Sequence, residues 1–345
     1  PILVKSKVFE TSGHSLHYSE NMFNLEVEKE KFYLKPMNCP EATMIYSYKL
    51  RSYKDLPLRL SEIGRLHRNE LSGVLGGLFR VRQMTMDDAH IFCTQEQIQK
   101  EITQVLKLIK DFYKLFNLKA SYYLSTMPDK ALGEIGLWRK CEKSLEEALK
   151  KNKLPFQVKE KDGAFYGPKI DIHIQDSLGR EWQLATIQLD FNQPERFNLT
   201  YEGQDGKKHR PVMIHRAIFG TFERFIGVLI EHTSGKFPLW LAPVQVKILT
   251  VSDKNKKFAK EVYEKLLKEK VRVELDDRSE SIGRKVRDSQ LEHVNYVLTI
   301  GDKEQKSKTL AIRTLNGKVN FGVKINTFIK DILEEIEKKI TSSSR

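Results

Sequence analysis

The spacing of apolar residues changes once along the chain, near residue 240. Before that point, short segments in which apolar and polar residues alternate predict strands. Helical spacing interrupts them near 95–116 and 135–152, and again near 220–233. This order predicts an α+β unit whose sheet is largely antiparallel.

From Val244 onward the predicted strands and helices alternate regularly. The predicted elements are strands at 244–251, 271–275, 296–300 and 309–315, and helices at 255–269, near 280–292 and at the end of the chain. The last helix carries an apolar stripe at four-residue spacing, made of Phe328, Ile332, Ile336 and Ile340. Pro238 and Pro243 mark the junction. We therefore divide the chain into domains 1–242 and 243–345, the second a small α/β domain.

Composition is that of a folded protein with a basic surface. The 345 residues are 40% hydrophobic and 30% charged, which is enough for two domains with their own cores. A net charge of +13 and a pI near 9.4 favour a polyanionic partner such as nucleic acid, although lysine-rich surfaces also serve solubility. The chain has only three cysteines, and they lie far apart, which predicts a cytoplasmic protein. No apolar run is long enough to cross a bilayer, so we expect no membrane partner.

The stretch "RLHRNELSGVLGGLFRVRQMTMDDAH", residues 65–90, concentrates chemistry. Strand alternation predicts Arg68 and Glu70 on one face of a first strand. After a glycine-rich turn, a second strand would present one face made of Arg80, Arg82, Met84, Met86, Asp88 and His90. Guanidinium groups bind phosphates and carboxylates bind amines, so this hairpin is a candidate ligand platform. A solvated hairpin is the alternative.

Seven stretches in order resemble the threonyl-tRNA synthetases, which are class II aminoacyl-tRNA synthetases. They are "KPMNCP" (35–40), "LPLRLSEIGRLHRNE" (56–70), "FRVRQMTMDDAHIF" (79–92), "AFYGPKI" (164–170), "QLDF" (188–191), "PVMIHRAIFGTFERFIGVL" (211–229) and "WLAPVQV" (240–246). The resemblance implies an α+β class II catalytic domain with a six-stranded antiparallel sheet and helices, followed by a small α/β anticodon-binding domain. It also implies a threonine–tRNA ligase that activates L-threonine with ATP and transfers it to tRNA(Thr).

The resemblance assigns ATP binding to two segments. Arg68 would hold the α-phosphate, Glu70 the adenine amino group, and Arg80 and Arg224 the outer phosphates, with Mg²⁺ bridging phosphate oxygens. Gln183 and Thr186 are further ATP-binding candidates. His14, in "TSGH", resembles a family histidine near the terminal ribose of the tRNA and is a catalytic candidate together with the three arginines. For Arg224 alone, a surface salt bridge is the alternative.

By the same resemblance, Cys39, His90 and His215 would bind one zinc ion with a fourth position open. Their spacing alone predicts no metal site, and a packed core residue is the alternative for each. The threonine-binding candidates are Asp88, Tyr166, Lys169 and Gln188. For Asp88 the alternative is a turn or capping aspartate, and for the other three it is a solvent-facing edge strand. A metal that coordinates both the amino and the hydroxyl group would reject valine but admit serine.

In the second domain the resemblance assigns anticodon contacts. Glu304 and Arg313 are candidate base contacts, and three basic residues, Arg284, Lys285 and Arg287, are candidates for the RNA backbone. Ordinary surface charge is the alternative for the basic residues. The chain departs from common family residues at Ala42, Met86, Ala185 and Ser279.

Pro1 resembles the proline of the first class-defining motif, which a helix precedes in the family. That helix helps to form the family dimer, so we expect a homodimer and a natural chain that begins upstream of Pro1. No stretch resembles the family's editing domain, so unless that domain lies upstream, a separate editing protein is a candidate partner.

A non-catalytic RNA-binding paralogue would be expected to lose the arginines or the metal ligands, and a zinc hydrolase would show a segment such as HExxH. A serine or proline synthetase is a closer rival, against which the metal triad argues.

Overall fold

A computed structural model describes residues 1–176 and 178–339, so Ile340 of the predicted stripe lies outside the described residues. The chain divides into two compact units, Pro1–Val228 and the residues from Leu229 onward. The domain boundary between residues 242 and 243 stays a prediction. Each helix within the described ranges is too short or too polar to cross a lipid bilayer.

The first unit is rich in strands. Its strands are β1 (Leu3–Lys5), β2 (Asn24–Val27), β3 (Glu30–Leu34), β4 (Leu58–His67), β5 (Gln83–Cys93), β6 (Ala120–Ser125), β7 (Phe156–Lys159), β8 (Lys169–Gln175), β9 (Glu181–Asp190), β10 (Tyr201–Glu202), β11 (Lys208–His209) and β12 (Val212–Ala217). Its helices are α1 (Ser6–Ser12), α2 (His14–His17), α3 (Cys39–Ser47), α4 (Ile98–Leu115), α5 (Ile135–Lys151) and α6 (Asn192–Arg196), and α7 (Phe222–Thr233) runs through the point of division.

The central sheet of this unit has seven strands in the order β4-β5-β12-β9-β8-β6-β7. The first six strands are antiparallel to their neighbours, which confirms the expected six-stranded antiparallel sheet. A seventh strand, β7, adds to the edge in parallel with β6 and was not predicted. It follows α5, and a strand that returns through a helix can pair in parallel.

Helices α4 and α5 confirm the helical spacing predicted for this unit. Both pack against β9, whose buried residues Ala185, Ile187 and Leu189 share one face. The alternate residues Thr186 and Gln188 point to the opposite face of the sheet. One face of the sheet is therefore apolar core, and the other is left for a polar cleft.

The second unit is a five-stranded sheet with helices. Its elements are β13 (Val246–Thr250), α8 (Lys256–Lys268), β14 (Val273–Asp276), α9 (Ile282–Leu291), β15 (Tyr296–Ile300), α10 (Asp302–Ser307), β16 (Thr309–Thr314), β17 (Val319–Lys324) and α11 (Ile325–Glu337). The strand order is β14-β13-β15-β16-β17, parallel among the first three strands. The predicted α/β alternation is confirmed, and Phe328 and Ile332 of the stripe are buried in the core. The polar helix α10 and the largely exposed strand β17 were missed because neither carries an apolar period.

Candidate active site

A cleft of about 560 Å³ opens on the polar face of the central sheet. The predicted ATP, threonine and metal residues all line it: Cys39, Arg68, Glu70, Arg80, Asp88, His90, Tyr166, Lys169, Gln183, Thr186, Gln188, His215 and Arg224. They come from α3, β5, β8, β9, β12, α7 and the loops between them. The fold thus brings together residues that lie up to half the chain apart.

The hairpin predicted at 65–90 is confirmed for its second strand, but the residues predicted to continue both strands toward the turn lie in a loop. Met84, Met86, Asp88 and His90 alternate along β5 and all face the cleft. The two strands, however, end at His67 and begin again at Gln83, so the charged residues between them lie in a loop rather than on strand faces. The glycine-rich segment makes its own turn, in which Gly76 and Arg80 exchange backbone hydrogen bonds.

Hydrogen bonds within this loop hold its charged side chains in place. Glu70 accepts two hydrogen bonds from Arg80, at 3.0 Å from Nε and 2.8 Å from Nη2. Arg82 donates to the carbonyl of Glu70 (3.1 Å) and to Oγ of Ser72 (3.1 Å). Arg80 is half-exposed, so its ion pair adds little to stability but orders the two groups before a ligand binds.

Arg224 projects from the first turn of α7 and is held by two carbonyl groups. Its Nε donates to Phe79 (2.8 Å) and its Nη1 donates to Gln183 (3.0 Å). Burial lowers the pKa of this guanidinium, and repulsion from Arg68 and Arg80 lowers the pKa further. Carbonyl oxygens orient a cation without neutralising it, so the alternative of a surface salt bridge does not describe this residue. The three guanidinium groups form a site suited to a polyanion such as a triphosphate.

Three side chains that could hold a metal ion meet on the floor of the cleft. Cys39 begins α3, while His90 and His215 lie directly opposite each other where β5 pairs with β12. Their ligand atoms lie within 4.8 Å of one another and all three residues are buried. The strand register therefore does what sequence spacing could not, because it places two histidines 125 positions apart at one point.

The chemistry of these donors fits a divalent ion such as zinc. Burial lowers the pKa of His90 to about 4, which keeps the imidazole neutral, as metal ligation requires. Nε2 of His215 lies 2.9 Å from Oδ2 of Asp190, the carboxylate contact that commonly orients a metal-binding histidine. Asp190 is itself fixed at the start of α6, where it accepts hydrogen bonds from the backbone of Asn192 (2.7 Å) and Gln193 (2.9 Å).

Asp88 stands next to this cluster on the same strand face. It is buried, and its Oδ2 accepts a hydrogen bond from Nδ2 of Asn38 at 3.0 Å. Beside the same cluster, the hydroxyl of Tyr166 donates to Oε1 of Gln188 at 2.5 Å, and its ring centroid lies 4.8 Å from that of His215. Burial raises the pKa of Tyr166, which keeps the hydroxyl a neutral donor. Asn38 was not singled out in the sequence, although it lies within the quoted "KPMNCP" motif.

Asp171 is a second residue that the sequence analysis missed. Its buried carboxylate accepts hydrogen bonds from Gln183, Thr186 (3.2 Å) and Ser125 (2.8 Å) and pairs with the ammonium of Lys169 at 2.8 Å. Three of these four partners are predicted cleft residues. The available signal is a charged residue at the centre of β8, two positions from Lys169 and flanked by the buried Ile170 and Ile172.

The structure places His14 beneath the cleft. The residue is fully buried, its Nδ1 lies 2.8 Å from Oγ of Ser12, and its Nε2 lies 3.8 Å from Sγ of Cys39. Burial lowers the pKa of His14 to about 3. Its Nε2 also lies 3.2 Å from Sδ of Met37, so two cleft-lining residues, Met37 and Cys39, connect it to the cleft. Its role in transfer stays a prediction. His17, which was not singled out, does line the cleft and stacks on Phe165 with ring centroids 5.2 Å apart.

In the second unit the predicted RNA contacts differ in whether their charged groups are exposed or buried. Arg284 and Arg287 are exposed. Glu304 accepts a hydrogen bond from the backbone of Gly301 (3.1 Å), and Arg313 donates one to the carbonyl of Gly317 (3.1 Å). Lys285 is buried, and its ammonium donates to the carbonyls of Thr250 (3.0 Å) and Asp276 (3.3 Å). The expectation that Lys285 contacts the RNA backbone is therefore wrong, because its charge is used inside the domain.

Comparison with known families decides the class. The family described as tRNA synthetase class II core domain (G, H, P, S and T) matches residues 23–233. The chain belongs to the class II tRNA synthetases. The family described as anticodon binding domain matches residues 245–335. Both matches confirm the fold class that the sequence predicted.

Within this class the chain is most informatively compared with threonyl-tRNA synthetases. It is 50% identical to the threonine–tRNA ligase of Carboxydothermus hydrogenoformans over 340 residues, covering 98% of this chain and 54% of that protein. It matches the crystal structure of the RNA binding domain of threonyl-tRNA synthetase from Cryptosporidium parvum Iowa II with a TM-score of 0.92 and 41% identity, covering 100% of this chain and 86% of that one. The family predicted from sequence is thereby confirmed.

A more distant structure shares the fold alone. The prolyl-tRNA synthetase of Cryptosporidium parvum matches with a TM-score of 0.74 and 20% identity, covering 98% of this chain and 65% of that one. The chain spans about half the length of the curated relatives it matches. The activity of the whole relatives is therefore considered separately below.

Proposed function

We propose that this chain is the catalytic and anticodon-binding part of a threonine–tRNA ligase. It would activate L-threonine with ATP and transfer the threonyl group to the 3′ end of tRNA(Thr). One observation carries the proposal: a buried Cys39–His90–His215 cluster and Asp88 share a cleft with three guanidinium groups. The cluster suits an amino acid with a hydroxyl group, and the guanidinium groups suit a nucleoside triphosphate.

The chain's own residues would act mainly by positioning. In activation, a carboxylate oxygen of threonine forms a bond to the α-phosphorus of ATP, and the bond to the departing pyrophosphate breaks. Arg68, Arg80 and Arg224 would hold the triphosphate in line and stabilise the charge that moves onto its oxygens. ATP would enter with Mg²⁺. No enzymatic nucleophile is required for this step.

Selection of threonine would depend on the buried end of the cleft. Asp88 would accept hydrogen bonds from the amino and hydroxyl groups of the substrate. Cys39, His90 and His215 would hold Zn²⁺, which supplies Lewis-acid coordination to those same two groups when bound. Valine replaces the hydroxyl with a methyl group and would leave these polar groups unpaired. Serine lacks only a methyl group, worth about 1–3 kcal/mol, so it would be a weak substrate.

Recognition of the tRNA is assigned to the second domain, with Glu304 and Arg313 as base contacts. The family resemblance supports this assignment and also a homodimer and a cytoplasmic location. The same resemblance supports a role for His14 during transfer.

The test is threonine-dependent exchange of pyrophosphate into ATP on zinc-replete protein, with serine and valine assayed in parallel. We expect exchange with threonine, weaker exchange with serine and none with valine. Charging of tRNA(Thr) in the same preparation tests the transfer step. Absence of exchange with all three amino acids would overturn the proposal and favour the non-catalytic RNA-binding paralogue.

A further inference from the structure

An aromatic side chain stands exposed on the edge strand of the second unit. Strand β17 lies at the end of the five-stranded sheet, beside β16. Its Phe321 is 69% exposed. A phenyl ring with both faces covered could not expose that fraction, so at least one face of this ring is free. An exposed apolar residue on an edge strand is a liability in water, which a ligand that covers the ring would remove.

A β-bulge presents this ring. The register between β16 and β17 shifts between Leu310 and Ile312. Phe321 and Gly322 therefore lie together opposite the single residue Ala311. Gly322 has a φ of 72°, in the left-handed region that favours glycine, and a Cβ atom there would meet nothing within 4 Å. With two small neighbours, the ring has open space beside it.

The ring lies on the same face of the sheet as Arg313, the candidate base contact. Arg313 pairs with Val319, and Phe321 is two positions beyond Val319 on β17, so the three side chains share a face. Arg313 and Phe321 are diagonal neighbours across the two strands, a relation in which long and aromatic side chains reach each other. Nη1 of Arg313 donates to the carbonyl of Gly317 at 3.1 Å, which orients its guanidinium group.

Helix α9 lies on this face as well. Apolar residues of the helix pack with Val297 of β15, and Val297 pairs with Arg313. The same helix carries the exposed Arg284 and Arg287, which are candidates for the RNA backbone. Candidate backbone contacts, a candidate base contact and a free aromatic ring therefore belong to one side of the sheet.

We propose that Phe321 is a further RNA-binding residue, whose free face stacks with an unpaired base of the anticodon loop beside Arg313. The inference rests on the proposed function, which assigns tRNA recognition to this domain. Proteins that read unpaired RNA commonly stack a base on an aromatic ring while neighbouring side chains bond to the edges of the base. Exposed lysines, Lys318 and Lys324, flank the ring in sequence and favour an anionic partner over a second copy of this basic chain.

The test is binding of the full chain to a hairpin RNA that carries the anticodon stem and loop of tRNA(Thr), measured by fluorescence anisotropy. For Phe321→Ala we expect the Kd to rise about tenfold, as for the loss of one base–aromatic stack. Phe321→Leu keeps an apolar side chain without an aromatic face and should lose nearly as much, whereas Phe321→Trp should bind at least as tightly as wild type. Unchanged affinity in Phe321→Ala, or wild-type affinity in Phe321→Leu, would overturn the inference.

Hairpins that lack one loop base in turn identify the stacked base. Removal of that base should weaken binding to the wild type about tenfold and binding to Phe321→Ala much less, because both changes remove the same contact. Stacking releases no counterions, so the slope of log Kd against log salt concentration should be equal in wild type and Phe321→Ala. Additive losses for every base of the loop would overturn stacking.

A matched variant controls for the loss of an exposed apolar side chain. Leu267 of α8 is 53% exposed, and α8 packs with Ile312 on the opposite face of the sheet, so Leu267→Ala should leave the Kd unchanged. Light scattering without RNA tests the other occupant: a wild-type oligomer that Phe321→Ala dissociates would overturn the inference in favour of a contact between copies. A wild-type chain that binds no hairpin would overturn the assignment of tRNA recognition itself, whereas tight wild-type binding with unaffected variants overturns this inference alone.

Discussion

Replacing Gly64 with alanine is expected to weaken threonine binding without weakening ATP binding. Gly64 lies on β4 beside the amide of Asn38, which is fully buried. A Cβ atom at position 64 would lie 2.4 Å from both Nδ2 and Oδ1 of Asn38 and 2.7 Å from its Cγ. These distances are far below van der Waals contact, so the amide must move.

The magnitude follows from the hydrogen bond that the amide makes. Nδ2 of Asn38 donates to Oδ2 of Asp88 at 3.0 Å, within the buried end of the cleft. A hydrogen bond to a charged group contributes about 1.5–3 kcal/mol. This hydrogen bond fixes the orientation of Asp88 toward the threonine site. Losing about 1.4 kcal/mol of that contribution would raise the KM for threonine about tenfold. Among the described residues, no hydrogen bond joins Asn38 to the guanidinium groups proposed to hold ATP, so the KM for ATP should stay within about twofold.

The assay is threonine-dependent pyrophosphate exchange with each substrate varied in turn. Gly136→Ala is the matched control, because a Cβ atom at that position in α5 would meet nothing within 4 Å. In the Asn38→Ala background, Gly64→Ala should add almost nothing, since the side chain it displaces is already gone. An unchanged KM for threonine in Gly64→Ala, or a full additional loss in the double variant, would show that Asn38 does not position Asp88 for threonine.

Three further predictions follow from buried polar groups. Asp171→Ala leaves the ammonium of Lys169 without its 2.8 Å carboxylate partner, so urea denaturation should show a loss of about 3 kcal/mol, and a loss below about 1 kcal/mol would contradict the role assigned to Asp171. Cys39→Ser should reduce bound zinc, measured by atomic absorption, from about one ion per chain, and full zinc content in the variant would exclude Cys39 as a ligand. Chelation of zinc from the wild type should abolish exchange until Zn²⁺ is restored. Lys285→Met should lower the free energy of unfolding by about 1–3 kcal/mol, because two buried carbonyl groups lose their donor, whereas the exposed control Arg284→Met should change it by less than about 0.5 kcal/mol. Equal effects of these last two variants would show that the Lys285 contacts are not what stabilises the domain.

Local sequence pattern predicted the elements whose periodicity is strong. Helices α4 and α5 begin and end within a few residues of the predicted ranges because their apolar residues recur at helical spacing on one face. Strand β5 was predicted to present Met84, Asp88 and His90 on one face, and all three line the cleft. Weakly patterned elements such as α10 and β17 could not be predicted in this way, since their positions depend on neighbouring strands.

Most of the candidate site was named through family resemblance, because pattern alone left Cys39, His90 and His215 as ordinary core residues. The apolar pattern predicted the fold class, the alternation of elements in the second unit, three helices of the first unit and the face that β5 turns to the cleft. The pattern did not predict the contacts between distant segments, such as those of His90 with His215 and of Asp171 with the polar residues of β9. The physical reason is that periodicity encodes which face a residue occupies, whereas contacts between distant segments depend on strand register and packing, which the whole chain sets together.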